Sequence, residues 1–382
     1  MAPKDYVIRV FDDVAKIDPT QWNALLGEQA SSTPFMRHEY LAAMQRSKSA
    51  RAETGWVAQF LCVMASDEIV AACPLYIKDH SYGEYVFDWA WANAYEQHGL
   101  AYYPKAVVAV PFTPVPGTRL LARDAKSRTL LVQGLVALCK QEELSSLHLL
   151  FGADADIAAC TEAGLMLRNT VQFHWTNAGY PDFDTFLASL SHDKRKKIRQ
   201  ERRKVADAGV SFRWSRGADI AKADWDFFYR CYTLTYRAHH STPYLTREFF
   251  AQIHAAAPES VLLVIAEADG ERLACALNMI GGDVMFGRYW GTKEFISGLH
   301  FETCYMQGIQ YCIENRLARF EGGAQGVHKM SRGMLPTPTW SAHWVADPRF
   351  AHAISEFLDE ETAAMDQHIQ ELEAHTPFRK KA

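Results

Sequence analysis

The chain has 382 residues, 48% of them hydrophobic, 12% aromatic and 22% charged. That length accommodates two compact units and excludes a lone binding module, and that composition excludes wholesale disorder. Lys and Arg total 40 against 45 Asp and Glu, a formal charge of −5, so there is no global positive field of the kind that coats DNA, and DNA is not expected as a partner.

Residues 1–10 include Asp5 and lack the long apolar core of an export signal. The most continuous apolar run, 261–266, has the length of a buried strand, so no integral membrane segment is expected. Eight cysteines stand singly in apolar segments without a Cys-x-x-Cys pair, which reads as reduced core residues of a cytoplasmic protein.

In chain order, residues 7–11 are expected as a strand and the surroundings of Trp22 as a helix. Thr33-Pro-Phe-Met-Arg-His-Glu-Tyr-Leu-Ala-Ala-Met44 is a second, Pro-started helix. Residues 56–64 and 69–77 form a hairpin, followed by an aromatic insertion at 82–104, a loop at 110–117, a helix at 125–141 and a strand at 147–151.

The series then recurs. A strand at 210–214 precedes a helix around Trp225. Thr242-Pro-Tyr-Leu-Thr-Arg-Glu-Phe-Phe-Ala-Gln-Ile253 aligns with the earlier helix through Thr-Pro, an aromatic, a Glu, an aromatic and an Ala. A hairpin at 261–268 and 272–280 turns on Ala268-Asp-Gly-Glu271, and Ala274-Cys-Ala-Leu277 echoes Ala72-Cys-Pro-Leu75. A strand at 283–290, a helix at 299–316 and a strand at 318–321 complete the copy. The expected architecture is α/β, two mixed-sheet halves: 1–190, a basic linking helix at 191–208, 209–346 carrying the site, and a C-terminal helix and tail at 347–382.

The linking segment, His192-Asp-Lys-Arg-Lys-Lys-Ile-Arg-Gln-Glu-Arg-Arg-Lys204, holds eight basic and two acidic residues. Only Ile198 and Val205 repeat at helical spacing, so the helix is either a solvated linker or the face for a phosphate-rich partner.

Two places carry chemistry. On the 299–316 helix, Phe301, Tyr305, Met306, Ile309, Cys312 and Ile313 define an apolar arc into which Glu302 falls; an inward carboxylate needs a partner or a function. The second is the loop Phe320-Glu-Gly-Gly-Ala-Gln-Gly-Val-His-Lys-Met-Ser-Arg-Gly-Met-Leu-Pro336, where three glycines and a Gln precede His328 and Lys329. Glycines there admit a ligand to the backbone, and Gln325, His328, Lys329 and Arg332 cluster for an anionic group. Each alone also reads as an exposed turn residue. The catalytic candidates are Glu302, His328, His300 and Tyr305. No zinc, P-loop or hydrolase-elbow motif occurs, so no metal is expected.

The stretches Ser32-Thr-Pro-Phe-Met-Arg-His-Glu-Tyr-Leu, His80-Ser-Tyr-Gly-Glu-Tyr-Val-Phe-Asp-Trp-Ala-Trp-Ala, Ala109-Val-Pro-Phe-Thr-Pro-Val, Gly287-Arg-Tyr-Trp-Gly, Leu299-His-Phe-Glu and Gly323-Ala-Gln-Gly resemble the FemAB-like "peptidoglycan biosynthesis/recognition" family of predicted N-acyltransferases. The likeness runs from about Ser31 to the C-terminal helix. It implies tandem acetyltransferase-like (GNAT) halves, as in the Fem aminoacyltransferases, and transfer of an acyl or aminoacyl group from a thioester such as acyl-CoA, or from aminoacyl-tRNA, to a small-molecule or peptide amine.

By that resemblance the donor lies along 283–290, with the backbone at Tyr289, Trp290 and Gly291 offering oxyanion donors. His80, Tyr82, Glu84, Asp88 and Trp89 wall the acceptor side, and tRNA meets the basic stretch from Lys194 to Lys204. The 292–298 loop lacks the usual acetyltransferase phosphate cradle, and Val327 stands where the family has Glu. The alternative is a non-catalytic protein that binds an envelope sugar-peptide or another ligand in its aromatic cleft. Oligomeric state has no signal in the sequence.

Overall fold

A computed structural model describes residues 6–323 and 326–379. The chain packs into two units, Met1–Thr170 with Pro338–Gln367, and Val171–Thr337 with His368–Ala382.

In the first unit, strand β1 (Tyr6–Phe11) leads to helix α1 (Pro19–Gly27), which starts on a proline and is capped by the Asp18 carboxylate accepting from the Thr20 amide. Helix α2 (His38–Arg46) follows. Strands β2 (Val57–Ala58), β3 (Phe60–Ala65), β4 (Glu68–Cys73) and β5 (Tyr76–Lys78) come next. The expected hairpin is therefore broken in both arms. β3 pairs antiparallel with β4, and β2 with β5 in a different sheet. The break falls at Pro74, which has no amide to donate to a ladder.

The unit continues with α3 (Trp89–Gln97), β6 (Lys105–Val108), β7 (Leu121–Ala122), α4 (Ala125–Gln141), β8 (Ser146–Gly152) and α5 (Asp154–Glu162). β1, β3, β4 and β7 make one sheet, and in the other β6 pairs with β5 and runs parallel to β8. Leu61, Val63, Val70, Leu131, Leu135 and Leu147 form the core between sheet and helix.

Strand β9 (Met166–Thr176) ends the first copy, and its residues from Val171 onward belong to the second unit. There follow α6 (Phe183–Ser189), α7 (His192–Asp207), β10 (Ser211–Arg216), α8 (Lys222–Ala238) and α9 (Arg247–Ala256). α9 begins four residues after Pro243, on a Thr246 cap whose hydroxyl accepts from the Phe249 amide. Strands β11 (Val261–Ala268), β12 (Glu271–Gly281) and β13 (Val284–Thr292) form an antiparallel meander. β12 is unbroken because Ala276 stands where the first copy has Pro74.

The expected helix at 299–316 is three pieces: α10 (Leu299–Phe301), a π-helical turn at Glu302–Met306, and α11 (Gln307–Glu314). β14 (Arg319–Glu321), a 3₁₀ turn at Val327–Arg332 and β15 (Leu335–Val345) follow, and α12 (Pro348–Ala374) closes the chain. The core packs Phe186, Met285, Ile309, Cys312, Phe320 and Met334 together.

The duplication is visible in pairing. β1 runs antiparallel to β3, as β10 does to β11, and each copy then makes its own hairpin. The copies exchange their last strands: β9, from the first, pairs with β14, and β15, from the second, pairs with β8. The compact units thus cut across the divisions at 190, 208 and 346, with the chain changing unit inside β9, β15 and α12.

Candidate active site

Within the second unit, β13 and β14 run parallel for three residue pairs only, Val284 with Arg319, Met285 with Phe320 and Phe286 with Glu321. Beyond Phe286 strand β13 continues to Thr292, whereas β14 has ended at Glu321. On its other side β13 shifts register against β12, Asn278 facing Gly287 and Leu277 facing Tyr289, which leaves Arg288 as an extra residue. A bulge on one flank and a splay on the other open a cavity of about 180 Å³.

Arg288, Tyr289 and Trp290 line one wall, His300, Cys304 and Tyr305 another, and Lys329 the third. Of the candidates named from the sequence, Tyr289, Trp290, His300, Tyr305 and Lys329 line this one cavity. The His300 ring lies 4.7 Å from that of Trp290 and 5.6 Å from that of Tyr305. Burial, and then the charges of His328, Arg332 and Lys329, push the His300 imidazole down to about 4, so it is neutral at neutral pH. Burial raises the Tyr305 hydroxyl, which stays protonated and able to donate.

Lys329 is 3% exposed, and its ammonium donates to the Gly323 carbonyl at 2.8 Å. Burial holds it down at about 8. Gly291 serves packing: a Cβ there would sit 2.1 Å from the Cys231 carbonyl oxygen, so only glycine lets β13 approach α8.

Glu302, His328 and Arg332 are not among the residues lining the cavity. Glu302 is buried on the π turn, 3.1 Å from Arg202 of α7, and accepts from Gln307 at 2.8 Å, which in turn accepts from the Trp214 indole. Burial raises its carboxyl and Arg202 opposes that rise. Arg332 donates to Glu201 at 2.8 Å and lies 3.8 Å from the Phe301 ring centre. His328 is exposed, with its ring 5.6 Å from that of Phe301. Gln325 lies outside the described residues. Glu201 and Arg202, adjacent on α7, thus hold the 3₁₀ turn and the π turn, a role hidden in a run that reads only as charge.

The first unit holds the residues of the aromatic insertion. Glu84 and Asp88 are buried and receive the Lys105 ammonium, at 2.8 Å for Glu84 and in a close ion pair for Asp88. Lys105 also donates to Ser81 at 2.7 Å, and Lys78 sits 3.8 Å from Glu84 and 3.6 Å from the Trp56 ring centre. The Tyr102 hydroxyl donates to Asp88 at 2.6 Å, His148 reaches Tyr102 at 3.1 Å, and His343 meets His148 at 2.8 Å. This is a buried polar network. By contrast Tyr82 and Trp89 are exposed and His80 is half-buried, with their rings in edge contact, His80 to Tyr82 and Tyr82 to Trp89. Sequence reading missed Lys78, Lys105, Tyr102, His148 and His343, whose joining depends on β6, β8 and β15 meeting side by side.

Residues 13–380 match the family described as FemAB-like, peptidoglycan biosynthesis/recognition. The chain belongs to this family. Among solved structures the FemAB-like chain is similar to FemX, at 11% identity and a TM-score of 0.57, covering 91% of this chain and 100% of that one. It is similar also to L-PGS from Bacillus licheniformis, at 9% identity and a TM-score of 0.54, with 90% and 97% covered. A third is the C-terminal domain of a lysylphosphatidylglycerol synthetase from Agrobacterium fabrum, so described provisionally, at 10% identity and a TM-score of 0.53, with 91% and 97% covered. No curated protein matches the sequence.

These likenesses, with the pairing repeat, give the chain the α/β fold seen in FemX, built from two related halves. Val327, where the resemblance expects Glu, opens the 3₁₀ turn and is 53% exposed. Among the described residues no helix is long and apolar enough to cross a membrane.

Proposed function

We propose that this FemAB-like protein is an N-acyltransferase that moves an acyl or aminoacyl group from a thioester or aminoacyl-tRNA to an amine. The observation that carries the reading is the cavity where β13 parts from β14 beside a bulge at Arg288. Strand splay frees backbone amides along 288–290 from the ladder on the β14 side, and such amides stabilise a tetrahedral oxyanion when fixed in advance. Tyr305 adds a protonated hydroxyl, and neutral His300 takes the proton released by the attacking amine. Glu302 acts on the site through structure, holding the π turn to Arg202.

Helix α7 bears on the donor. Its inward residues are engaged by Glu302, Gln310 and Arg332, while Lys196, Lys197, Arg203 and Lys204 remain exposed or half-buried. A strip of cations on one helix suits the phosphates of aminoacyl-tRNA, in a protein whose eight cysteines are unpaired as in a reducing cytoplasm.

Incubation of the protein with acyl-CoA thioesters or aminoacyl-tRNA and a panel of amines, read as amide by mass spectrometry, tests the reaction. Turnover with one donor class is expected, falling about a hundredfold in His300→Gln with the melting temperature kept. Absence of amide with every donor overturns the proposal. Reversing the four cations of α7 is expected to abolish salt-sensitive RNA binding; unchanged RNA affinity rules out the tRNA donor.

A further inference from the structure

The charges around the cavity of the second unit are one-sided. Arg288 and Lys329 line it, and among the described residues no Asp or Glu does. Lys329 is buried to 3% exposure, and no carboxylate among the described residues lies within ion-pair distance of its ammonium. Its one hydrogen bond among them, to the Gly323 carbonyl, uses one of three donors. Other strongly buried cations near the candidate residues are matched: Lys105 by Glu84 and Asp88, and Arg332 by Glu201.

A buried ammonium without a counter-charge is costly, and the cost is recovered when an anion enters. The lining also includes Tyr289, Trp290 and Tyr305, with Asn278, 2% exposed, bordering the same space. The volume of about 180 Å³ suits a group of a few heavy atoms rather than a whole cofactor. His300, neutral for the reasons given above, does not compete for the anion with Lys329.

We infer that Lys329 forms the floor of an oxyanion subsite, which takes a substrate carboxylate or phosphate into the cavity beside Tyr289, Trp290 and Tyr305. The two sources of that chemistry are the carboxylate of an amino-acid or peptide acceptor and a phosphate of the donor. An uncharged amine acceptor, or a donor whose ammonium had to lie against Lys329, is disfavoured: the first supplies no counter-charge and the second adds a like one. The inference rests on the cavity and its charges, and holds whether or not acyl transfer occurs there.

The test is calorimetric titration of the full chain with N-acetylglycine, its neutral counterpart N-acetylglycinamide, and inorganic phosphate. An oxyanion is expected to bind at least roughly tenfold more tightly than the amide, with Lys329→Met reducing it to the level of the amide and Lys329→Arg retaining it. N-acetylglycine binding alone assigns the acceptor carboxylate, and phosphate binding alone assigns the donor. Equal affinity for acid and amide, no binding of either oxyanion, or undiminished binding in Lys329→Met overturns the inference. The wild-type comparison of acid with amide needs no variant and stands if Lys329→Met fails to fold. Loss of turnover with oxyanion binding intact would count against the acyltransfer reading and leave this subsite in place.

Discussion

Glu302 is buried and its partner Arg202 is about 29% exposed, so the two ends of that ion pair are unequal. Arg202→Met strands a buried carboxylate and is expected to cost about 3 kcal/mol in urea denaturation, against about 1 kcal/mol for Glu302→Gln, which leaves the arginine access to water. Equal costs would mean that the pair contributes as a surface bridge does. Lys105 lies deeper. Lys105→Met strands the buried Asp88 carboxylate and leaves Glu84 only the more distant Lys78, at 3.8 Å, and a loss of about 3–5 kcal/mol is expected by the same measurement.

Lys329 gives a pH dependence whose sign follows from burial. Its folded value is about 8 against 10.5 for an ordinary lysine, so between those values the unfolded chain binds more protons than the folded one. Wild-type stability therefore rises relative to Lys329→Met as pH climbs from 8 to 10.5, by up to about 3 kcal/mol. A flat difference across that window would contradict the burial of the charged form. At this scale the sequence was partly legible. The inward face of the 299–316 segment pointed to Glu302, but only pairing with α7 shows that its carboxylate is occupied. Lys329 stood out merely as one of several cations in a glycine-rich loop.

Strands and helices were the most readable level, and they fail where one residue changes a ladder. Pro74 splits the first hairpin between two sheets, and Ala276 leaves the second whole. Ala276 pairs with Val264 on one side and Trp290 on the other, so Ala276→Pro is expected to cost about 3 kcal/mol or more, whereas Pro74→Ala, at an existing break, is expected to cost under about 1 kcal/mol. Thermal melts of both variants decide this, and a tolerated Ala276→Pro would contradict an unbroken β12. The π turn at Glu302–Met306 had no signature in the sequence, because apolar spacing over 299–316 fits an α-helix nearly as well. Its position, with Cys304 and Tyr305 on the cavity wall, makes it part of the site's geometry.

At the scale of the molecule the internal repeat was legible because the two copies keep Thr-Pro and the Ala-Cys-x-Leu echo in register. The exchange of β9 and β15 was not, since strand partners far apart in sequence leave no local trace. It has a consequence for dissection. Residues 1–170 alone lose the β15 segment that pairs with β8, and are expected to show no cooperative unfolding by circular dichroism, whereas the full chain does. Independent folding of 1–170 would mean that the exchanged strand is dispensable.

Acyl transfer at this site requires the donor's reactive carbonyl to enter where β13 leaves β14. The most direct measurement is a crystal structure of the full chain with a non-transferable acyl-CoA analogue or a 3′-aminoacyl-RNA mimic bound. The predicted result is a carbonyl oxygen within hydrogen-bond reach of the 288–290 amides, with His300 and Tyr305 beside it. A donor seated away from those strands, with the cavity filled by side chains, would contradict it.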